Sequence, residues 1–337
     1  MSNKHNCVVT GATGSLGPEL VRQLASAGCG VRMVARRTLD PRGYPKDCEY
    51  WMGDICDREF LEKVVAGAKI VFHLAAKLHV HNPGPELQKE YWRVNVEGTR
   101  NVVQASAAAG VQRVVYFSTI NVYGPTHGSL VDENALPSPQ DDYATTKHAA
   151  EEIVLQARDK YSGLPTGVVL RLAAIYGPRM KGNYPRLIRA MTRGYFIPIG
   201  SGTNRRTLVH EEDAVRAALL AAHSPRSPGC IYNVSDGKVH RLRDILSAIS
   251  SALGRPEPRW FLPTGPIRRL AAAADRLSFL VRHPLHLTNT MDKLVEDIAV
   301  RADRIQSELG FQPLVNLQEG WKKTLAAGAS ALRHRAS

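Results

Sequence analysis

The stretch VVTGATGSLGPELVRQL, Val8 to Leu24, constrains the fold more than any other. A β-branched run leads into three glycines spaced three apart, Gly11, Gly14 and Gly17, and an apolar helical pattern follows. Glycine at the first position permits a tight turn, and at the second it lets a bulky anion approach the backbone. At the third it lets helix and strand pack closely. The helix then begins with unpaired N–H groups and the positive end of its dipole, both suited to phosphate. Strand, GxxGxxG and helix in this order read as a dinucleotide-binding turn, with Thr13, Ser15 and Leu16 beside the glycines. Glycine-rich turns also arise from packing alone, so the rest of the chain has to decide.

Apolar runs at 5–10, 30–35, 48–53, 69–76, 113–119 and 166–172 are rich in Val, Ile, Phe and Tyr and read as strands buried on both faces. Segments 15–28, 57–66, 85–109 and 141–161 read as helices, the third stopped by Gly110. This alternation predicts an α/β fold, a Rossmann-type doubly wound parallel sheet with right-handed crossovers. After Pro178 the rhythm breaks: basic, glycine-rich sequence precedes strands expected at 207–210 and 230–234, and the rest is mostly helical. The chain has 337 residues, 44% of them hydrophobic, enough for a large core in one domain or two. The expected division is a dinucleotide domain over 1–178, to which 207–235 returns, and a smaller α+β substrate domain from 179–206 and 236–337.

A net charge of +13 favours anionic partners: phosphorylated substrates, nucleic acid or a membrane surface. No zinc-finger, basic-zipper or RNA-binding aromatic motif is present, so nucleic acid is not expected. No apolar stretch approaches the roughly 20 residues of a membrane span. The start, MSNKHNCVVT, lacks the apolar region of a signal peptide. Five scattered cysteines without a CxxC argue against a disulfide framework or zinc site, and a cytoplasmic location is expected. His79 and His81 have the i, i+2 spacing of a metal pair, but no third ligand stands out and no metal is expected. Segment 267–282, IRRLAAAADRLSFLVR, has four arginines against one aspartate. It reads as a membrane-surface helix or as a helix packing between domains.

The stretches YFSTINVYG and YATTK carry the chemistry. Tyr143 and Lys147 are four apart and share one helix face. A phenol ordinarily loses its proton near pH 10. A neighbouring ammonium, together with a positively charged ring bound alongside, would favour the phenolate and bring that value towards the working pH. Hydroxyls stand upstream, at Ser118 and Thr119. No GxSxG elbow is present, so a serine hydrolase is not expected.

Taken together, these stretches resemble the short-chain dehydrogenase/reductase family in its extended, NAD-dependent epimerase/dehydratase branch, over nearly the whole chain. The resemblance implies hydride transfer to or from a nicotinamide, with Tyr143 as acid or base and Lys147 holding the nicotinamide ribose. Thr119, by its spacing before VYG, would bond the reacting oxygen, with Ser118 as second choice. Asp54 in GDICD, followed by Ile55, matches an adenine ligand or serves as a helix N-cap. FHLAA matches the turn laying Leu74, Ala75 and Ala76 against the cofactor, and VNVEGT matches the region of a structural asparagine, Asn95, grouped with the cofactor residues. Relatives that prefer NAD carry an acid after the second strand. Here VRMVARR places Arg36 and Arg37, which suit the 2′-phosphate of NADP(H) or simply face solvent. NADP(H) is favoured, with NAD(H) open.

LRLAAIYGP (170–178) resembles the hallmark of members acting on nucleotide sugars. Arg206 matches an arginine that grips the substrate diphosphate, with Arg205 as alternative; guanidinium pairs bidentately with phosphate. Asn183 is a further diphosphate candidate or a helix N-cap. Ile120 and Asn121 stand where 4,6-dehydratases carry an Asp-Glu pair, so 4,6-elimination is not expected. HLAAKLHVHN and the KGN and NRRTLV stretches resemble bacterial UDP-4-keto-6-deoxy-N-acetylhexosamine 4-reductases, and UDP-hexose 4-epimerases share the catalytic set. The expectation is hydride transfer at C4 of a nucleotide-diphosphate sugar, by a 4-keto reductase or, near parity, a 4-epimerase that retains NAD. A hydroxysteroid- or dihydroflavonol-type ketone reductase is the further alternative. A homodimer through the helices near 85–109 and 141–161 is also implied.

Overall fold

A computed structural model describes residues 6–38, 40, 43–78, 85–280, 288 and 296–333; His79 and His81 lie outside them. In chain order its strands are β1 (Asn6–Thr10), β2 (Gly30–Ala35), β3 (Glu49–Met52), β4 (Ile70–His73), β5 (Arg113–Thr119), β6 (Gly167–Leu172), β7 (Ala174–Tyr176), β8 (Arg205–Arg206), β9 (Leu208–His210), β10 (Ile231–Val234) and β11 (His240–Arg241). Seven of them form one parallel sheet in the order β3-β2-β1-β4-β5-β6-β10. The doubly wound sheet expected from the alternation is the one found. β4 and β6 are buried along their whole length, which is why they read as continuous apolar runs.

The helices are α1 (Gly17–Ser26), α2 (Arg58–Val65), α3 (Pro85–Tyr91), α4 (Gly98–Ala108), α5 (Asp142–Leu155), α6 (Asn183–Thr192), α7 (Glu211–His223), α8 (Leu242–Leu253), α9 (Thr264–Leu280), α10 (Asp303–Leu309) and α11 (Leu317–Arg333). Leu20 and Leu24 of α1 and Ala214, Ala217 and Ala221 of α7 help close one face of the sheet. Leu61 and Val64 of α2 with Val102 and Ala105 of α4 help close the other. Ala150 and Val154 of α5 pack beside α4 against β5 and β6.

The helix expected over 85–109 runs unbroken to Ala108 but widens into a π-helical turn, Trp92–Glu97, between α3 and α4. Gly98 N–H closes that wide turn on Arg93 O, five residues back. A Cβ on residue 98 would lie 2.7 Å from Ile55 Cδ1, so glycine lets the helix press onto the β3–α2 loop. The helix expected to reach 161 ends at Leu155, because Asp159 Oδ1 accepts from the backbone N–H groups of Tyr161 and Ser162 and folds the chain into a turn.

A second core lies off the main sheet. Tyr176, Met191, Leu208, Ile245, Ile249 and Trp321 meet there, and Trp321 stacks on Tyr176 at 4.8 Å. Tyr176 and Leu208 belong to the two-stranded β7–β9 pair. They therefore sit with this second core, although the sequence division assigned them to the dinucleotide domain. Conversely Ile305 and Phe311, expected with the substrate domain, pack into the core of the main sheet. The seam does not follow the chain, because apolar side chains rather than chain order decide which core each segment joins.

Candidate active site

A groove of about 670 Å³ opens at the ends of β1, β2, β4, β5 and β6. Gly11 has φ +72°, and a Cβ there would come within 2.6 Å of Ala75 N, so only glycine lets β1 end against the Leu74–Ala75 turn. Leu74 N donates to Thr10 O at 3.1 Å and Ala75 N to Thr10 Oγ1 at 3.3 Å. A Cβ on Gly17 would stand 2.1 Å from Ala12 O, so the third glycine seats α1 on the loop that precedes it. No side chain caps α1 at Leu16, and its first-turn N–H groups are left for an anion.

Gly11, Thr13, Gly14, Ser15 and Leu16 line the groove, whereas Gly17 lies outside its lining. Arg36, Arg37, Asp54 and Ile55 line it further along, with Leu74, Ala75 and Ala76. Both arginines are exposed. The N-cap of α2 is Asp57, not Asp54: Asp57 Oδ1 accepts from Phe60 N at 3.1 Å. Asp54 Oδ1 instead accepts from Cys56 N at 3.0 Å, and Oδ2 lies 3.8 Å from Arg93 Nη1. Asn95 does not line the groove either. It is buried; Oδ1 accepts from Lys77 N at 2.7 Å and Nδ2 donates to Thr146 Oγ1 at 3.1 Å. Its place is behind the groove wall, tying the β4 loop to α5.

At the other end Tyr143 and Lys147 line the same groove, with Ser118 at the end of β5. Lys147 is buried; its ammonium donates to Phe117 O at 2.6 Å and lies 4.0 Å above the Tyr116 ring. Burial pushes it down to about 7, against the opposing pull of Glu151. The lowering expected from Lys147 is not seen at the Tyr143 phenol, which lies edge-on to Tyr91 at 6.4 Å: burial, then the Asp141 charge, raises it above its ordinary value.

Ser118 turns its hydroxyl away from the reacting position, donating to Glu151 Oε1. Arg171 Nη2 holds the same carboxylate at 2.7 Å, and all three side chains are buried. Thr119 is outside the groove lining but next to it; its Oγ1 accepts from Asn121 N at 3.2 Å, which leaves its own proton for another oxygen. Ile120 is buried and Asn121 exposed, so no acid follows the hydroxyl.

Sequence reasoning missed His73. It is buried in the β4 strand end, with Nδ1 2.7 Å from Thr10 Oγ1 and Nε2 2.9 Å from Thr99 Oγ1. Thr99 gives its own proton to Asn95 O at 2.7 Å. His73 Nε2 therefore donates, Nδ1 accepts from Thr10, and the ring is neutral. Burial, then the nearby Lys147, pushes it down to about 3. Lys181 also lines the groove and was missed; its only signal is a basic residue soon after YGP.

The substrate candidates are not gathered into this groove. Asn183 is the first residue of α6 after Gly182, which has φ +91° and takes the N-cap place. Arg206 is half-buried in β8, opposite His240 of β11; burial raises the Tyr184 phenol, and the nearby Arg206 charge opposes that rise without reversing it. The alternative, Arg205, donates from Nη2 to Ser129 O at 3.3 Å.

A glycine floor, an uncapped helix start, the half-buried Tyr143 and the buried Lys147 share one groove on a Rossmann-type fold. The profile of the NAD dependent epimerase/dehydratase family matches residues 7–235, and the chain belongs to that family of enzymes. A UDP-glucose 4-epimerase of Vibrio cholerae is 29% identical over 95% of this chain and 94% of its own. A 2-alkyl-3-oxoalkanoate reductase of Stenotrophomonas maltophilia is 29% identical over 96% and 99%. The solved structure of MoeE5 in complex with UDP-glucose and NAD is 30% identical, with a TM-score of 0.76 over 97% of this chain and 99% of that one. No described helix is long and apolar enough to cross a membrane.

Proposed function

We propose that the chain transfers hydride between a nicotinamide dinucleotide and C4 of a nucleotide-diphosphate sugar, and that it works as a 4-keto-sugar reductase. The observation that carries this reading is the single groove that brings the glycine turn together with Tyr143, Lys147 and the end of β5. The dinucleotide fits the residues present: glycine backbone and free helix N–H groups for its phosphates, Asp54 and Ile55 for adenine, Lys147 for the ribose hydroxyls. When bound, the nicotinamide supplies or accepts the hydride.

The chain's own residues handle the proton. Tyr143, which like any phenol holds its proton at neutral pH, gives that proton to the carbonyl oxygen in the reductive direction. Thr119 donates a hydrogen bond to the same oxygen and orients it. Ser118, Glu151 and Arg171 fix the strand end on which Thr119 stands. Phe117 O accepts from the Lys147 ammonium and fixes its position in the groove.

NADP(H) is the cofactor of this reading. Arg36 and Arg37 stand exposed in the groove after β2, where the sequence has no acid before Asp40. Arg36→Ala weakens NADPH binding by about tenfold and leaves NADH unchanged; equal loss for both cofactors counts against the assignment. Arg206 holds the diphosphate, from a segment that runs alongside the second core. A homodimer through α4 and α5 belongs to the same proposal, and sedimentation of the pure chain tests it.

A second reading is a 4-epimerase with retained NAD, favoured by the V. cholerae relative and by the NAD and UDP-glucose named with MoeE5. Purified protein given a panel of UDP- and dTDP-sugars and their 4-keto forms separates the two. Loss of NADPH absorbance with a 4-keto sugar supports the reductase. Interconversion of sugars without net absorbance change, by protein that purifies with NAD, supports the epimerase. Turnover of lipophilic ketones alone removes the sugar assignment.

A further inference from the structure

An apolar and basic surface lies outside the groove, on the second core. Two segments build it. Leu262 N donates to Pro198 O at 2.9 Å, and Gly200 N to Leu262 O at 2.8 Å, so 195–200 runs beside 260–262. Arg255 Nη2 donates to Thr192 O at 3.1 Å and fastens the two together. Large apolar side chains on this pair stand in water: Tyr195 is 61% exposed, Ile197 53% and Trp260 82%. α9 starts two residues after Leu262 and carries Leu270, 70% exposed. None of these side chains is needed to close the second core, which is filled from the other side by residues such as Phe196 and Phe261.

The charge around them has one sign. Residues 186–200 contain three arginines and no acid, and residues 255–270 contain four arginines against one acid, Glu257. Glu257 accepts from Ser247 Oγ at 2.6 Å. Arg193, Arg255, Arg259 and Arg269 are exposed.

We propose that the chain docks peripherally on an anionic lipid bilayer through this surface. Trp and Tyr rings suit the headgroup level, Ile and Leu reach the acyl boundary, and guanidinium groups meet lipid phosphates while their stems lie along apolar surface. A second copy of the chain is a poor occupant, because a two-fold contact would set the arginines of one copy against those of the other. Nucleic acid would pair with the arginines and leave the aliphatic side chains without a partner. The inference goes beyond the catalytic reading and does not depend on it.

Sedimentation of the full chain with vesicles tests this. Binding to phosphatidylcholine vesicles holding about a third phosphatidylglycerol is expected to exceed binding to pure phosphatidylcholine by about tenfold or more, and to fall at high salt. Trp260 emission is expected to shift to shorter wavelength on binding. Two variants, Ile197→Ser with Trp260→Ser, and Arg193→Gln with Arg259→Gln and Arg269→Gln, each weaken vesicle binding about tenfold with an unchanged melting temperature. The proposal is overturned by failure to bind anionic vesicles or by variants that bind as well as the parent. It is also overturned if the variants instead split a dimer, or if duplex DNA binds this face in preference to vesicles.

Discussion

The cofactor end of the groove and the second core differ in what fixes their residues. At the cofactor end the backbone itself is the constraint. Gly11 meets Ala75 N and Gly17 meets Ala12 O at distances no side chain tolerates, and His73 locks the β1 and β4 ends from beneath through Thr10 and Thr99. Near the second core, Asn183 and Arg206 project from a helix start and a two-residue strand, with no comparable steric demand. The first region is set by what must be absent or buried, so it tolerates one arrangement. The second rests on polar side chains at a helix start and a short strand, where, on the proposed reading, specificity for one substrate can change without disturbing the fold.

Substitutions on the two sides should therefore fail in different ways. The largest effect is expected at the proposed proton carrier. Tyr143→Phe should slow turnover by about 10²-fold or more while dinucleotide affinity, read by fluorescence titration, stays as in the parent. A mutant within a few-fold of the parent rate would remove Tyr143 from the chemistry. Gly17→Ala should cost about 2–4 kcal/mol of stability in denaturant melts and weaken dinucleotide binding with it, since the new Cβ meets backbone rather than a movable side chain. If this variant melts like the parent, the steric account of the cofactor end is wrong.

Arg206→Ala sharpens the contrast from the other side. It should raise KM for a nucleotide-diphosphate sugar by about tenfold to a hundredfold with dinucleotide affinity and melting unchanged. Equal loss of cofactor affinity would mean that Arg206 serves the cofactor half.

The smallest effect is a pH dependence. Lys147 sits at about 7 folded and has an ordinary value of 10.5. Between these the unfolded chain binds the extra proton, so stability rises with pH. Over pH 7 to 9 the gain should be about 2 kcal/mol at most, and Lys147→Met should abolish it. A flat profile in the parent would mean that the amine is better solvated than its burial indicates.

The same contrast explains what is legible in the sequence. Gly11, Gly14 and the four-residue spacing of Tyr143 and Lys147 are local patterns, so the groove that joins them can be read from the chain alone. His73 is not local: its meaning depends on Thr10 and Thr99, each far away in the chain. Thr119 ranks above Ser118 by its spacing before VYG, and Glu151, 33 residues on, adds a reason no local pattern holds by claiming the Ser118 hydroxyl. The π turn at Trp92–Glu97 holds Asn95, whose partners Lys77 and Thr146 lie 18 and 51 residues away, so its place behind the wall is not a local pattern. The direction of the Tyr143 shift is not local either: desolvation, a property of the packed site, is its largest cause.

One crystal structure with NADPH and a 4-keto nucleotide sugar would test the central claim most directly. The account predicts adenine near Asp54, the pyrophosphate over the glycine turn, and the Tyr143 oxygen about 3 Å from the substrate carbonyl with the nicotinamide alongside. A dinucleotide lying elsewhere, or a Tyr143 hydroxyl turned away from both ligands, would contradict it.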